Sequence, residues 1–144
     1  MKDKAVEGEM YLTGTYALNL PSVDGTPGDW HHSAIDWTLV QSMLVPVSSS
    51  LFGHLGLYEA RVPGGRRVLA ADNVRACLDL IAGGYFGSAQ GMRDCFLDDP
   101  STTPVVFEAV WGKLRGSEGW DEIDRFMGRE YGCAWLDFLE GKDE

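Results

Sequence analysis

The hydrophobic period of this sequence changes once, at Asp72, and that change limits the architectures open to the chain. Before it, from Tyr11 to Val62, strand-favouring stretches alternate with turn residues. "YLTGTYALNL" is rich in Thr, Tyr and Leu, "WTLVQSMLVPV" leans towards β structure, and "LGLYEARV" alternates apolar with polar residues. A turn in "VPGGRRV" leads to a fourth candidate strand in "RRVLA". Past Asp72 the spacing is helical. "DNVRACLDLIAGG" opens on an N-cap Asp72, places Val74, Cys77, Leu78 and Ile81 on one face, and stops at Gly83 and Gly84. "YFGSAQGMRDCFL" gives Ala89, Met92 and Phe96 a common face, weakened by Gly87 and Gly91. "STTPVVFEAVWGKLRG" offers Thr102 or Thr103 as cap and Pro104 in the first turn, with Phe107, Val110, Trp111 and Leu114 recurring at helical intervals. "SEGWDEIDRFMGREYGCAWLDFLEG" reads as two short helices broken near Gly128, with Ile123, Phe126 and Met127 facing inward from the first and Tyr131, Trp135, Phe138 and Leu139 from the second.

Strands followed by segregated helices predict an α+β fold, a small antiparallel sheet from the N-terminal half packed against four or five C-terminal helices. The 144 residues suit a single domain over 1–144, with 1–10 flexible, 11–70 strand-rich and 71–140 helical. Hydrophobic residues at 44% and charged residues at 24% are those of an ordinary globular chain, not of a disordered one. Cys77, Cys95 and Cys133 are widely spaced and odd in number, which suggests reduced core residues in apolar stripes and not a disulfide or zinc framework. "MKDKAVEGEM" lacks an apolar stretch of signal-peptide length, and no apolar run approaches the ~20 residues of a membrane span, so the cytoplasm is the expected compartment.

The net charge of −10 is unevenly placed. Residues 1–70 carry seven Asp/Glu and five Lys/Arg, a balance of −2; residues 71–144 carry fifteen and seven, a balance of −8. A field of that sign repels a phosphate backbone and steers basic proteins towards the second half.

Chemistry is densest in "LPSVDGTPGDWHHSAIDW", residues 20–37, which holds two Trp, two adjacent His and several Asp behind a Gly/Pro-rich loop. His31, Asp36 and His54 together form a conceivable acid/base or metal centre of a small hydrolase. The spacing is not that of a known motif, and adjacent histidines diverge on either a strand or a helix. Packing is the preferred reading of the same stretch, with Trp30 and Trp37 anchoring the loop in the core, Asp29 capping a helical turn that opens at Trp30, and the histidines partly exposed. A nucleotide site would need GxGxxG or GxxxxGK[ST], and a serine nucleophile GxSxG; the chain contains neither. "GGYFGSAQG" lies between two helices without a lysine and reads as a turn. No cofactor and no metal are therefore expected.

The motifs "YALNLP", "GDWHHSAIDW", "NVRACLDLIAGGYFGSAQGM" and "WDEIDRFMGREY", within residues 16–37 and 73–131, resemble a family of short uncharacterised bacterial proteins associated with toxin–antitoxin or phage-defence loci. That resemblance implies a protein that binds another protein, and it supplies no catalytic residues. Combined with the charge division, it favours a non-enzymatic binding module, antitoxin-like or a small inhibitor, whose acidic helical half engages a basic partner such as a toxin or a nucleic-acid enzyme. Asp121, Glu122 and Asp124 are the expected partner contacts, with no direct nucleic-acid or membrane binding. The alternatives are an acidic DNA mimic, with carboxylates standing in for phosphates, and the hydrolase.

Overall fold

The computed structural model describes residues 9–20, 36–63, 65–95 and 100–142. The chain divides into two compact units, Met1–Asp79 and Leu80–Glu144. In the first, Met10–Tyr11 (β1) pairs antiparallel with Val45–Pro46 (β2), Tyr11 facing Val45 and Met10 facing Pro46. Leu57–Arg61 (β3) and Arg67–Ala71 (β4) form a longer antiparallel ribbon in the register Leu57↔Ala71 to Arg61↔Arg67. Leu12 joins the two ribbons by a parallel bridge, its N–H donating to Leu69 O at 2.9 Å and its carbonyl accepting from Ala71 N at 2.8 Å.

The pleat of β3 and β4 explains the core of this unit, because alternate residues reach one face. Ala60, Val62, Val68 and Ala70 point inward and join Leu12 and Val40, while Tyr16, Leu20, Trp37 and Leu44 border the cluster. Glu59, Arg61 and Arg67 occupy the exposed face.

Two stretches expected to be strands are mostly helical. After β1 the chain turns into Gly14–Leu18 (α1). Trp37–Leu39 is a 3-10 turn that runs into Val40–Met43 (α2) before β2 begins. The reason for the second is local: Asp36 Oδ1 accepts from Thr38 N at 3.1 Å and from Thr38 Oγ1 at 2.6 Å, a side-chain cap that starts helical backbone despite the β-branched residues after it. The strand-rich half is thus narrower than its composition suggests, although the α+β class holds.

Asn73–Ala82 (α3) is the helix the sequence announces, with Asp72 Oδ1 accepting from Arg75 N at 2.9 Å as its cap. In the second unit Phe86–Ala89 (α4) and Met92–Cys95 (α5) are single turns separated by Gly91 at φ +90°, and Ala89 and Met92 are buried as expected. Phe96 lies outside the described residues. Thr103–Leu114 (α6) carries Pro104 in its first turn and buries Val106, Phe107, Val110 and Leu114. Trp120–Tyr131 (α7) passes through Gly128 unbroken, and the break falls at Gly132, whose φ of +60° suits a residue without Cβ. Cys133–Lys142 (α8) follows. Cys133, its first residue, is exposed and so is not a core cysteine, whereas Cys77 is buried; the Cys95 side chain is not described. Among the described residues no helix is long and apolar enough to cross a membrane.

Aromatic rings fill the second unit. Phe107 meets Tyr131 edge-on at 4.8 Å and Trp135 at 5.1 Å, and Trp135 stacks on Phe138 at 5.4 Å. Glu130 of α7 accepts from Gly91 N with both carboxylate oxygens at 3.0 Å and from Arg93 N at 3.4 Å, which satisfies donors at the start of α5 that a glycine cap cannot.

Candidate functional site

The histidine–aspartate centre is not assembled among the described residues. Trp30, His31 and His32 lie outside them. Asp36 is exposed and is the cap just described; its carboxyl is held below the ordinary value by the Thr38 hydroxyl first and the Thr38 amide second. His54 is exposed, with Nε2 3.0 Å from Glu9 Oε1. Asp36 and His54 therefore bond to different partners. No group of three or more His, Cys, Asp or Glu among the described residues could hold a metal ion.

Among the described residues of the first unit, a different cluster is the most highly organised polar site. Arg75 is fully buried, and its five N–H groups each have an acceptor. Nε donates to Asp79 Oδ1 at 3.1 Å; Nη1 donates to the carbonyls of Gly53 and Leu55, both at 2.7 Å; Nη2 donates to Tyr11 Oη at 3.1 Å and to Ser50 Oγ. Asp79 in turn accepts from Tyr11 Oη and Thr13 Oγ1 through Oδ2, each at 2.7 Å. The rings of Tyr11 and Phe52 flank the guanidinium at 4.8 and 5.8 Å. Gly56 lets the 50–56 loop close on α3. At φ +72° a Cβ there would stand 2.7 Å from Asp72 Oδ1 and 2.8 Å from Arg75 Cβ, and Gly56 O accepts from Asp72 N at 2.8 Å.

With every guanidinium donor occupied, this cluster ties α3 to β1, to Thr13 and to the 50–55 loop. Its chemistry is that of a buried clamp. Burial first, and the hydrogen bond to Asp79 second, raise the Tyr11 phenol above its ordinary 10.0, with Ser50 and Arg75 acting in the opposite direction. A phenol that holds its proton more tightly when folded stabilises the fold below its unfolded pKa, and the contribution is lost as pH rises through the folded value. Stability in urea should therefore decline above pH 10.0, less steeply in Tyr11→Phe than in the parent. A residual slope is expected in that variant because Tyr58 is also raised, by burial and then by Asp72. Equal slopes in parent and variant would detach Tyr11 from the clamp.

The acidic candidates in the second unit separate into two kinds. Asp121 and Glu122 are exposed in the first turn of α7 and form no ion pair among the described residues, and Glu118 is exposed just before them. Asp124 is half-buried and accepts from Trp135 Nε1 at 2.8 Å, which locks α7 to α8. The first two face solvent; the third is engaged inside the unit. No family model, curated protein or solved structure matches the chain.

Sequence reasoning passed over Arg75 and Asp79, although a signal was present. They stand four apart on a helix whose other inward positions are apolar, and an arginine and an aspartate at that spacing within such a stripe mark a paired, buried charge.

Proposed function

We propose that the chain is a non-enzymatic protein-binding module, antitoxin-like or a small inhibitor, which engages a more basic protein through the first turn of α7. The observation that carries this reading is the pair Asp121 and Glu122, exposed and without ion-pair partners among the described residues, on a helix fixed in place by the Asp124–Trp135 hydrogen bond. A rigid helix end loses little conformational freedom on docking. Exposed Arg115, Arg125 and Arg129 lie in the same unit. Such mixed signs suit a protein partner better than imitation of a uniformly anionic duplex.

The test is association kinetics with a basic protein encoded beside this chain. Asp121→Lys and Glu122→Lys should slow association by about tenfold while leaving dissociation nearly unchanged, because steering acts mainly on encounter. Raising salt should lower the parent's association rate towards that of the variants, since exposed charges beyond about 8 Å are screened at physiological ionic strength. A parent rate that ignores salt, with variants binding as fast, would place recognition elsewhere.

A further inference from the structure

The outer edge of β3 is unpaired, and its register shows which residues offer their backbone there. β4 lies between β3 and Leu12. Leu12 takes the Leu69 carbonyl and the Ala71 N–H, so residues 69 and 71 turn their backbone groups away from β3, and 68 and 70 turn theirs towards it. Ala60 and Tyr58, opposite 68 and 70, therefore exchange the ladder bonds with β4. Val62 N to Arg66 O at 2.9 Å and Asp72 N to Gly56 O at 2.8 Å continue the same phase at either end. The N–H and C=O groups of Glu59 and Arg61 consequently point away from β4, and among the described residues no strand pairs with them. Such an edge is a template for a further strand.

Charges of one sign on an edge repel an identical edge, but here the signs alternate. Glu59 and Arg61 share one face of the strand, and both are exposed. Arg61 also stands directly opposite Arg67 in the hairpin, a like-charge pairing that destabilises an antiparallel ladder. Its Nη1 donates to Gly65 O at 3.2 Å, while Glu59 leans instead to Arg67 at 3.4 Å, with both of those side chains about two-thirds exposed. Within the described hairpin, Arg61 has no carboxylate of its own.

We propose that two copies of the chain join through β3, antiparallel about a two-fold axis at Ala60, so that Glu59 of each copy faces Arg61 of the other. Charge selects this register. An axis at Glu59 or at Arg61 would set like charges face to face, whereas an axis at Ala60 makes the opposite-charge pair twice and puts a small side chain where the strands come closest. The ladder ends cleanly beyond these pairs, because Pro63 has no N–H and the Leu57 N–H already donates to His54 O at 3.2 Å. Tyr58 is exposed although it shares the pleat of buried Ala60 and Val62; in this pairing it lies across from Val62 of the other copy and is covered. The β3 edge contains no residue of the α7 turn, so the inference does not depend on the function proposed above.

The interface is short and each chain carries a net charge of −10, so the dimer is weak and is sought at high concentration. Sedimentation of the full chain should show a monomer–dimer equilibrium developing towards about 1 mM, the weak end of specific association. Over the same range, hydrogen exchange at the Glu59 and Arg61 amides should slow. Arg61→Glu should weaken the dimer by about tenfold or more, since the repulsion enters twice. At low concentration the same variant should melt no lower than the parent, because it replaces the like-charge pair with Arg67 by an opposite one; lost association is thereby separated from lost folding. Glu59→Arg should also weaken the dimer, and the double change Glu59→Arg with Arg61→Glu, which reverses both signs, should restore most of it. A parent that stays monomeric at about 1 mM would overturn the proposal. So would a dimer that survives both single reversals, a double variant no better than the single ones, or Glu59 and Arg61 amides that exchange at the same rate in monomer and dimer.

Discussion

Replacing Arg75 with methionine should cost the first unit about 3 to 5 kcal/mol, a large fraction of the roughly 5 to 15 kcal/mol that holds an ordinary domain together. The side chain is fully buried, and its removal strands five acceptors at once: Asp79, the Gly53 and Leu55 carbonyls, the Tyr11 hydroxyl and Ser50. Methionine fills much of the volume, so the loss reports hydrogen bonds and charge more than a cavity. Arg75→Lys should fall between, since an ammonium keeps the charge but has three donors and no planar fork. The double change Arg75→Met with Asp79→Leu should recover part of the loss, because removing both members of a buried pair costs less than abandoning one of them. Hydrogen exchange of the β3 and β4 amides, read against urea unfolding, measures this within the unit. Protection equal to the parent's in Arg75→Met would mean that the 50–56 loop is held by Gly56 and backbone bonds alone.

That cluster also shows where sequence reading stops. β3, β4, α3 and α6 were legible because each is decided locally: alternation in "LGLYEARV" and "RRVLA", a capping aspartate before "NVRACLDL", a proline in the first turn of "TPVVFEAVWGKL". The stretch after Tyr11 is decided at a distance. Its Thr, Tyr and Leu content favours a strand, yet Thr13 and Tyr11 are drawn to Asp79, 66 and 68 residues away, and the ladder gives out as the chain enters α1. Pairing residues so far apart leaves no periodic trace in the sequence.

Other departures were open to a closer local reading. Asp36 followed by Thr38 is a helix-start signature, and weighing Asp36 as a catalytic carboxylate obscured its simpler use as a cap. Gly128 and Gly132 were equally plausible breaks by residue type alone. The apolar positions Ile123, Phe126, Met127 and Tyr131 keep helical phase through Gly128, and Tyr131 completes the stripe only if the helix continues to it. As for the acidic surface, charge counting located the acid but could not tell Asp124, bonded to an indole, from Asp121 and Glu122, which face water.

Trp135→Ala should be the most damaging single change in the second unit, at about 3 to 5 kcal/mol. Trp135 is fully buried, stacks on Phe138 at 5.4 Å, meets Phe107 at 5.1 Å and Trp120 at 6.3 Å, and donates its indole N–H to Asp124. Trp135→Phe keeps a ring and deletes the donor, so it should cost less, on the order of 1 to 3 kcal/mol from a smaller side chain and an unmatched carboxylate. The same hydrogen bond separates stability from recognition along α7. Asp124→Lys should lower the melting temperature because it destroys the bond that holds α8, and it should slow partner association only to the extent that the helix loosens. Asp121→Lys and Glu122→Lys should leave the melt near the parent's value and act on association alone. If Asp124→Lys instead melts like the parent yet slows association as much as the other two, Asp124 faces the partner and the Trp135 hydrogen bond is not what fixes α7.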